Sequence, residues 1–223
     1  MALVSNSGKR SAINRKRLAG LGFDPAWFRA IQTSGEVAHQ TLRAMLDSND
    51  LAPGAPVFLM SRGADTSPVA GLDLTPVTQP RAAQLLLIAG VDVQLGIEHY
   101  RTILGPMAAA RIPAICMNPD LHSFGRDGIT FGPGRLAHEY EAMGGRVEMI
   151  GKPHRTIFDA ARAQLGDIAP ENCVMIGDSP GHDIIGGHLA GMRTCLIASG
   201  VFAQDKDAAA RCPVPDYWME TLS

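Results

Sequence analysis

Short apolar runs bounded by Gly, Pro, Asn or Asp alternate along this chain with longer segments whose apolar residues recur three or four positions apart. The first kind reads as buried strand, the second as a helix with one face inward. Strands are expected at Leu3-Val4, Val57–Met60, Gln84–Ala89, Pro113–Met117, Val147–Ile150, Cys173–Ile176 and Thr194–Ala198. Helices are expected over Ser11–Leu21, closed by Gly22, and over Pro25–Ile31, with Trp27, Phe28 and Ile31 on one face. Another opens at Thr33-Ser34-Gly35-Glu36, with Ser34 as the cap and Glu36 in the first turn. Three more cover Glu98–Ala110, Arg135–Met143 and Thr156–Leu165. Asp47–Pro56 reads as a polar link, residues 64–80 as loop with one weak strand, Leu121–Gly134 as loop, and Asp216-Tyr217 as a last short edge. Strands alternating with helices imply an α/β fold around a parallel sheet.

Composition narrows the function classes. Hydrophobic residues make up 46% and charged residues 19%, which is globular and not disordered. A net charge of -2 gives no electrostatic footprint for nucleic acid or an anionic membrane surface. No apolar run reaches the ~18 residues a membrane helix needs. Met1–Asn6 lacks the charged segment and apolar core of a signal peptide. Cys116, Cys173, Cys195 and Cys212 show no CxxC spacing, and the first three lie in or beside apolar runs. Buried free thiols are expected, which fits a reducing cytoplasm.

The chemistry gathers where strands end. Cys173-Val174-Met175-Ile176 breaks at Gly177 and delivers Asp178; Ser179-Pro180-Gly181 turns, and Asp183 falls at the mouth of the next helix. In an open parallel sheet, ligands bind at such strand ends. Two carboxylates beside a glycine-opened loop suit a hard cation such as magnesium. The same residues also suit a turn and a helix cap. Ser5-Asn6-Ser7-Gly8-Lys9-Arg10 reads as an anion-holding loop or as a helix start. Lys152 sits between Gly151 and Pro153 straight after an apolar strand, where a lysine is less free than on an open surface. A hydroxyl, a fixed cation and paired acids are the parts phosphoryl transfer needs.

On those residues the chain resembles the haloacid dehalogenase-like hydrolases, in the NagD-like branch whose cap is inserted between the second and third motifs. Leu3–Arg10 is similar to the second motif, Gly151-Lys152-Pro153 to the third, and Gly177-Asp178-Ser179-Pro180-Gly181-His182-Asp183-Ile184 to the fourth. Thr33-Ser34-Gly35 and Asn118-Pro119-Asp120 are similar to two further stretches of that branch. The resemblance implies a Rossmann-like parallel-sheet core, residues 1–35 and 146–223, with an inserted α/β cap at 36–145. It implies a Mg2+-dependent phosphatase of small phosphorylated metabolites. Ser5, Asn6 and Lys152 would bind phosphate; Lys152 and Asp183 would be catalytic; Asp178 and Asp183 would hold the metal. Asn118, Asp120 and His122 would face substrate from the cap, although His122 also reads as a plain loop histidine.

One departure bears on all of this. The family's first motif, Asp-x-Asp followed by Gly, stands on the central strand ahead of the second motif, and its first Asp is the nucleophile that forms an aspartyl-phosphate. Only Met1-Ala2-Leu3-Val4 precedes Ser5 here, and Asp65, Asp73 and Asp92 lie downstream on the cap side. The expectation is therefore an N-terminal truncation that omits the central strand. Without the nucleophile, turnover should fall by orders of magnitude. Without the strand, the chain should be poorly soluble or dimerise through the gap. The rival reading is a non-catalytic α/β module that binds phosphate or a nucleotide. A dinucleotide-binding dehydrogenase fits poorly, because the glycines of Gly186–Gly191 fall inside a helix and not at its start.

Overall fold

A computed structural model of the chain describes residues 1–125, 128–204 and 212–221. In chain order the strands are β1 (Ala2–Ser5), β2 (Ala30–Thr33), β3 (Ala55–Met60), β4 (Leu74–Pro76), β5 (Leu85–Ile88), β6 (Pro113–Cys116), β7 (His122–Gly125), β8 (Gly128–Phe131), β9 (Arg146–Met149), β10 (Val174–Gly177), β11 (Arg193–Ile197) and β12 (Tyr217–Met219). The helices are α1 (Ser11–Gly20), α2 (Ser34–Asp47), α3 (Gly96–Ala109), α4 (Pro133–Ala142), α5 (Arg155–Ala163), α6 (Ile185–Leu189) and α7 (Val201–Gln204). The chain divides into two units. The smaller holds Met1–Val4, Ala26–Gln32 and Gly151–Ser223; the larger holds Ser5–Pro25 and Thr33–Ile150.

The larger unit is built on a five-stranded sheet in the order β4-β3-β5-β6-β9. All four of its pairings are parallel. Leu85, Leu86, Leu87 and Ile88 are all buried, as expected of a central parallel strand with both faces covered. Leu104 and Met107 of α3 and Leu136 and Tyr140 of α4 pack in one core with Leu86, Ile88 and Cys116. The Tyr140 hydroxyl donates to the Ile112 carbonyl at 2.6 Å, so the polar tip of a buried ring is satisfied. Burial pushes the Cys116 thiol up to about 12 and also raises Cys195; all four cysteines are free.

The smaller unit carries the pair β1-β2 and a parallel three-stranded sheet, β10-β11-β12. Helix α5 buries Ile157, Phe158 and Ala161 on one face. A Cβ at Gly186 would lie 2.5 Å from the Phe158 ring, and one at Gly187 would lie 2.8 Å from the Met175 side chain. Paired glycines thus let α6 lie close against both α5 and β10.

Several expectations change. Pro25–Ile31 is not a helix: a 3-10 turn at Pro25–Trp27 gives way to β2, whose four residues are all buried. Strand pairing and burial override the helical spacing of Trp27, Phe28 and Ile31 there. The cap of α2 is Thr33 and not Ser34; Thr33 Oγ1 accepts from the Glu36 N–H at 3.0 Å. Leu121–Gly134 is not plain loop, because β7 and β8 form an antiparallel hairpin. Strand β9 pairs with β6 in the larger unit, whereas residues 146–150 were expected in the core. β10 is also not fully buried: Val174 and Ile176 are each 47% exposed, because β10 is an edge of its sheet among the described residues. None of the described helices is long and apolar enough to cross a membrane.

Candidate active site

In the smaller unit the third and fourth sequence motifs meet. The chain enters at Gly151 with φ +126, a conformation that favours glycine, and Lys152 follows. Lys152 Nζ donates to Asp183 Oδ1 at 2.6 Å, with the side chains only 14% and 4% exposed. Asp183 Oδ2 accepts from the Ser179 N–H at 3.0 Å, and the Asp183 N–H donates to the Ser179 carbonyl at 2.7 Å. A π-helical turn, Pro180–Ile184, carries Asp183 back over the end of β10. That return requires glycine at 177, since a Cβ there would stand 2.2 Å from Asp183 Oδ2. A buried carboxylate is costly unless paired and hydrogen-bonded, and both oxygens of Asp183 are so engaged.

Asp178 is held differently. Its Oδ2 accepts from the Val201 N–H at 2.8 Å, and Gly200, with φ +75, lets the chain approach so closely that a Cβ would lie 2.0 Å from that oxygen. No bond to Asp178 Oδ1 occurs among the described residues. His182 Nδ1 and Ser179 Oγ are 3.0 Å apart. Burial, then the charge of His182, lowers the pKa of His154.

The larger unit holds the second motif. Ser5 Oγ accepts from the Ser7 N–H at 3.2 Å. Asn6 is buried and donates through Nδ2 to Asp120 Oδ1 at 2.8 Å, while Asn118 Oδ1 accepts from the Asp120 N–H at 2.9 Å. The Asn118-Pro119-Asp120 turn is therefore joined to the Ser5-Asn6 loop by hydrogen bonds. Asn14 Nδ2 reaches Ser7 Oγ and the Lys9 and Arg10 carbonyls at 3.2–3.3 Å, tying that loop to α1. A cavity of about 300 Å³ opens here, lined by Ser5, Asn6, Asn118 and Asp120 among others. His122 is exposed and lines a separate hollow with Leu121, Phe131 and Arg135.

Arg10 clamps Glu36 through Nε and an Nη at 2.8 Å each, and the Ser11 N–H adds a third bond at 3.0 Å. The guanidinium holds the Glu36 carboxyl below its usual 4.5 although burial pushes it up; the Ser11 N–H helps. A depressed folded pKa adds stability that is present above about 4.5 and lost as pH falls through the lower folded value. Glu36→Gln should therefore cost about 1 kcal/mol at pH 7, discounted for partial exposure, and the gap should narrow as pH falls below 4.5 through the lower folded value. Urea melts of both proteins at pH 7 and pH 3.5 check this; an equal gap at both values would contradict it.

Known proteins resemble this chain in sequence and in fold. A family model described as HAD-hydrolase-like matches residues 149–223, which span the Lys152, Asp178 and Asp183 segments. Chronophin from Mus musculus is 28% identical over 231 residues, covering 99% of this chain and 78% of that protein. The structure of a haloacid dehalogenase-like hydrolase from Brucella suis 1330 superposes with TM-score 0.83 at 25% identity, covering 100% of this chain and 83% of that one. Over residues 149–223 the chain matches the haloacid dehalogenase-like hydrolases, and along its whole length it is similar to proteins of that kind. A p-nitrophenyl phosphatase from Archaeoglobus fulgidus, TM-score 0.73 at 22% identity and covering 99% and 83% of the two chains, shares the fold.

A metal in a haloacid dehalogenase-like hydrolase is a matter of donor chemistry. Magnesium commonly takes one or two carboxylates and keeps several waters. Among the described residues no three His, Cys, Asp or Glu side chains converge on one point, so an all-protein cage is absent. The uncommitted Oδ1 of Asp178 fits a single-carboxylate attachment, whereas the Asp183 oxygens already face Lys152 and Ser179. Sequence reasoning placed Lys9 in an anion-holding loop but missed two further cations of the cavity lining, Arg17 and Arg62. Arg62 follows strand β3 as Lys152 follows β9, but no motif surrounds it.

Proposed function

We infer that the chain is a magnesium-dependent phosphoric monoester hydrolase acting on small phosphorylated metabolites. The observation that carries the reading is the buried Lys152–Asp183 pair, with Asp178 on the same strand-end loop as Asp183 and one of its oxygens uncommitted among the described residues. Besides chronophin, the chain is similar over part of its length to a glycerol-3-phosphate phosphatase from Homo sapiens and a phosphoserine phosphatase from Thermus thermophilus. Ser5 and Asn6 would donate to phosphate oxygens. Lys152 would neutralise charge that builds on the phosphoryl group, and Asp183 would fix the lysine by its salt bridge. Asp178 would ligate the metal directly, and Asp183, its oxygens held by Lys152 and the Ser179 N–H, would orient a water on it. Magnesium supplies positive charge on the phosphoryl oxygens when bound.

Residues 36–145 would serve as the cap, and Asn118, Asp120 and His122 as its substrate-facing side chains. The family's aspartyl-phosphate needs an Asp that this sequence does not place ahead of Ser5. The chain's own residues would hold and neutralise the phosphate. The open edge of β10, with Val174 and Ile176 outward, is where a homodimer would pair.

The test uses an aryl phosphate and the chain extended by an Asp-x-Asp strand. Release of the phenol should require magnesium. Asp178→Asn should lower it by about a hundredfold or more. Equal rates with and without Asp178 would remove the metal assignment. Tight phosphate binding with no turnover in the extended chain would favour a binding module instead.

A further inference from the structure

We propose that the substrate carries a second anionic group besides its phosphate, read by Arg62 and Arg17 at the larger unit's cavity. The proposal rests on the phosphomonoester reading and narrows it to a class: small phosphate esters bearing a carboxylate or a second phosphate. At about 300 Å³ the cavity suits a small metabolite. Three cations line it, Lys9, Arg17 and Arg62, against two carboxylates, Asp65 and Asp120.

The pairing of those groups decides which charges are available. Lys9 Nζ is 3.1 Å from Asp65 Oδ2, and Asp120 accepts from Asn6. Burial pushes the Asp65 carboxyl up, but the Ser67 N–H and the Lys9 ammonium outweigh it and hold it below the usual range. Asp65 is thus a committed anion. Among the described residues neither Arg17 nor Arg62 has a carboxylate within ion-pair distance. Two exposed arginines without a carboxylate partner among the described residues therefore line one small cavity, and a planar guanidinium suits a carboxylate or phosphate in two-point contact.

Arg62 is also placed by its backbone. Gly90, at the end of β5, lets the chain pass so near that a Cβ would lie 2.9 Å from the Arg62 nitrogen. Beyond it, Gly63 and Ala64 take φ +62 and +53, and Asp65 Oδ1 accepts from the Ser67 N–H at 3.0 Å. The Lys9–Asp65 bridge then ties this loop to the Ser5–Lys9 loop. An ester with one phosphate leaves both arginines to water; a second anion engages them.

The experiment compares esters of matched skeleton by isothermal titration into the full chain with magnesium. Glycerol 3-phosphate carries one anionic group; 3-phosphoglycerate has a carboxylate in place of the terminal hydroxymethyl; glycerol 1,3-bisphosphate has a second phosphate on the terminal hydroxyl. At least one of the latter two should bind about tenfold tighter than glycerol 3-phosphate. The tighter one names the second group. Arg62→Gln with Arg17→Gln should erase that preference and leave glycerol 3-phosphate binding unchanged. Equal binding of all three by the unaltered chain would overturn the inference and leave the phosphomonoester reading standing. A preference that survives loss of both arginines would overturn it too. Binding of none of the three would bring down both.

Discussion

Lys152→Met should destabilise the smaller unit by roughly 3 kcal/mol and abolish phosphate binding. The methionine fills most of the space of the lysine stem, so packing changes little. What changes is Asp183, which is 4% exposed and loses its only cationic partner among the described residues. Removing one member of a buried pair strands the other's charge, and that cost exceeds the net worth of the pair. The double variant Lys152→Met/Asp183→Asn separates the two roles. Its neutral amide can still accept from the Ser179 N–H, so most of the lost stability should return. Phosphate binding should not return, because the ammonium is still missing. Urea melts followed by circular dichroism, beside phosphate titrations, read both quantities. A single variant as stable as the parent would mean that the pair is not a buried charge couple.

Gly35→Ala should cost about 2–4 kcal/mol, for a reason no helix propensity supplies. In most helices this change is neutral or favourable. Here the added Cβ would stand 2.1 Å from the Gly8 carbonyl oxygen and 2.5 Å from its carbon, so backbone must yield and no side-chain rotation relieves it. The displaced segment is the Ser5–Lys9 loop, which the Gly35 N–H grips at the Ser7 carbonyl at 3.0 Å. Stability and phosphate binding should therefore fall together. Gly20→Ala is the control: it ends α1 with nothing within 4 Å of the new Cβ, and it should be silent within about 0.5 kcal/mol. Equal behaviour of the two variants would show that the Gly8–Gly35 crossing is looser than described.

Much of this fold was legible because the signals were local. Leu85–Ile88 and Pro113–Cys116 are short apolar runs cut off by Gly or Asn, and both became parallel strands. Helix α5 keeps Ile157, Phe158 and Ala161 on one face, and its period was plain. The pairing of Lys152 with Asp183 was foreshadowed by two loops at strand ends, although the partner of each side chain was not. What escaped reading depended on distant chain. Ala30–Thr33 carries helix-like spacing with its upstream aromatics, and only its neighbour β1 makes it a strand. The hairpin of β7 and β8 has a polar, glycine-containing sequence that no periodicity marks. Strand β10 looked buried from its apolar residues, but burial belongs to what lies beside a strand and not to its composition. The Arg62 guanidinium went unnoticed because a lone arginine after a strand carries no motif; the cavity gives it meaning.

The role of Lys152 and Asp178 as holders of a phosphate and its metal is tested most directly by the phosphorus resonance of inorganic phosphate added to the chain. With magnesium present the line should shift and broaden, and either Lys152→Met or Asp178→Asn should return it to that of free phosphate. A line that never moves, or one that moves equally in both variants, would contradict the account.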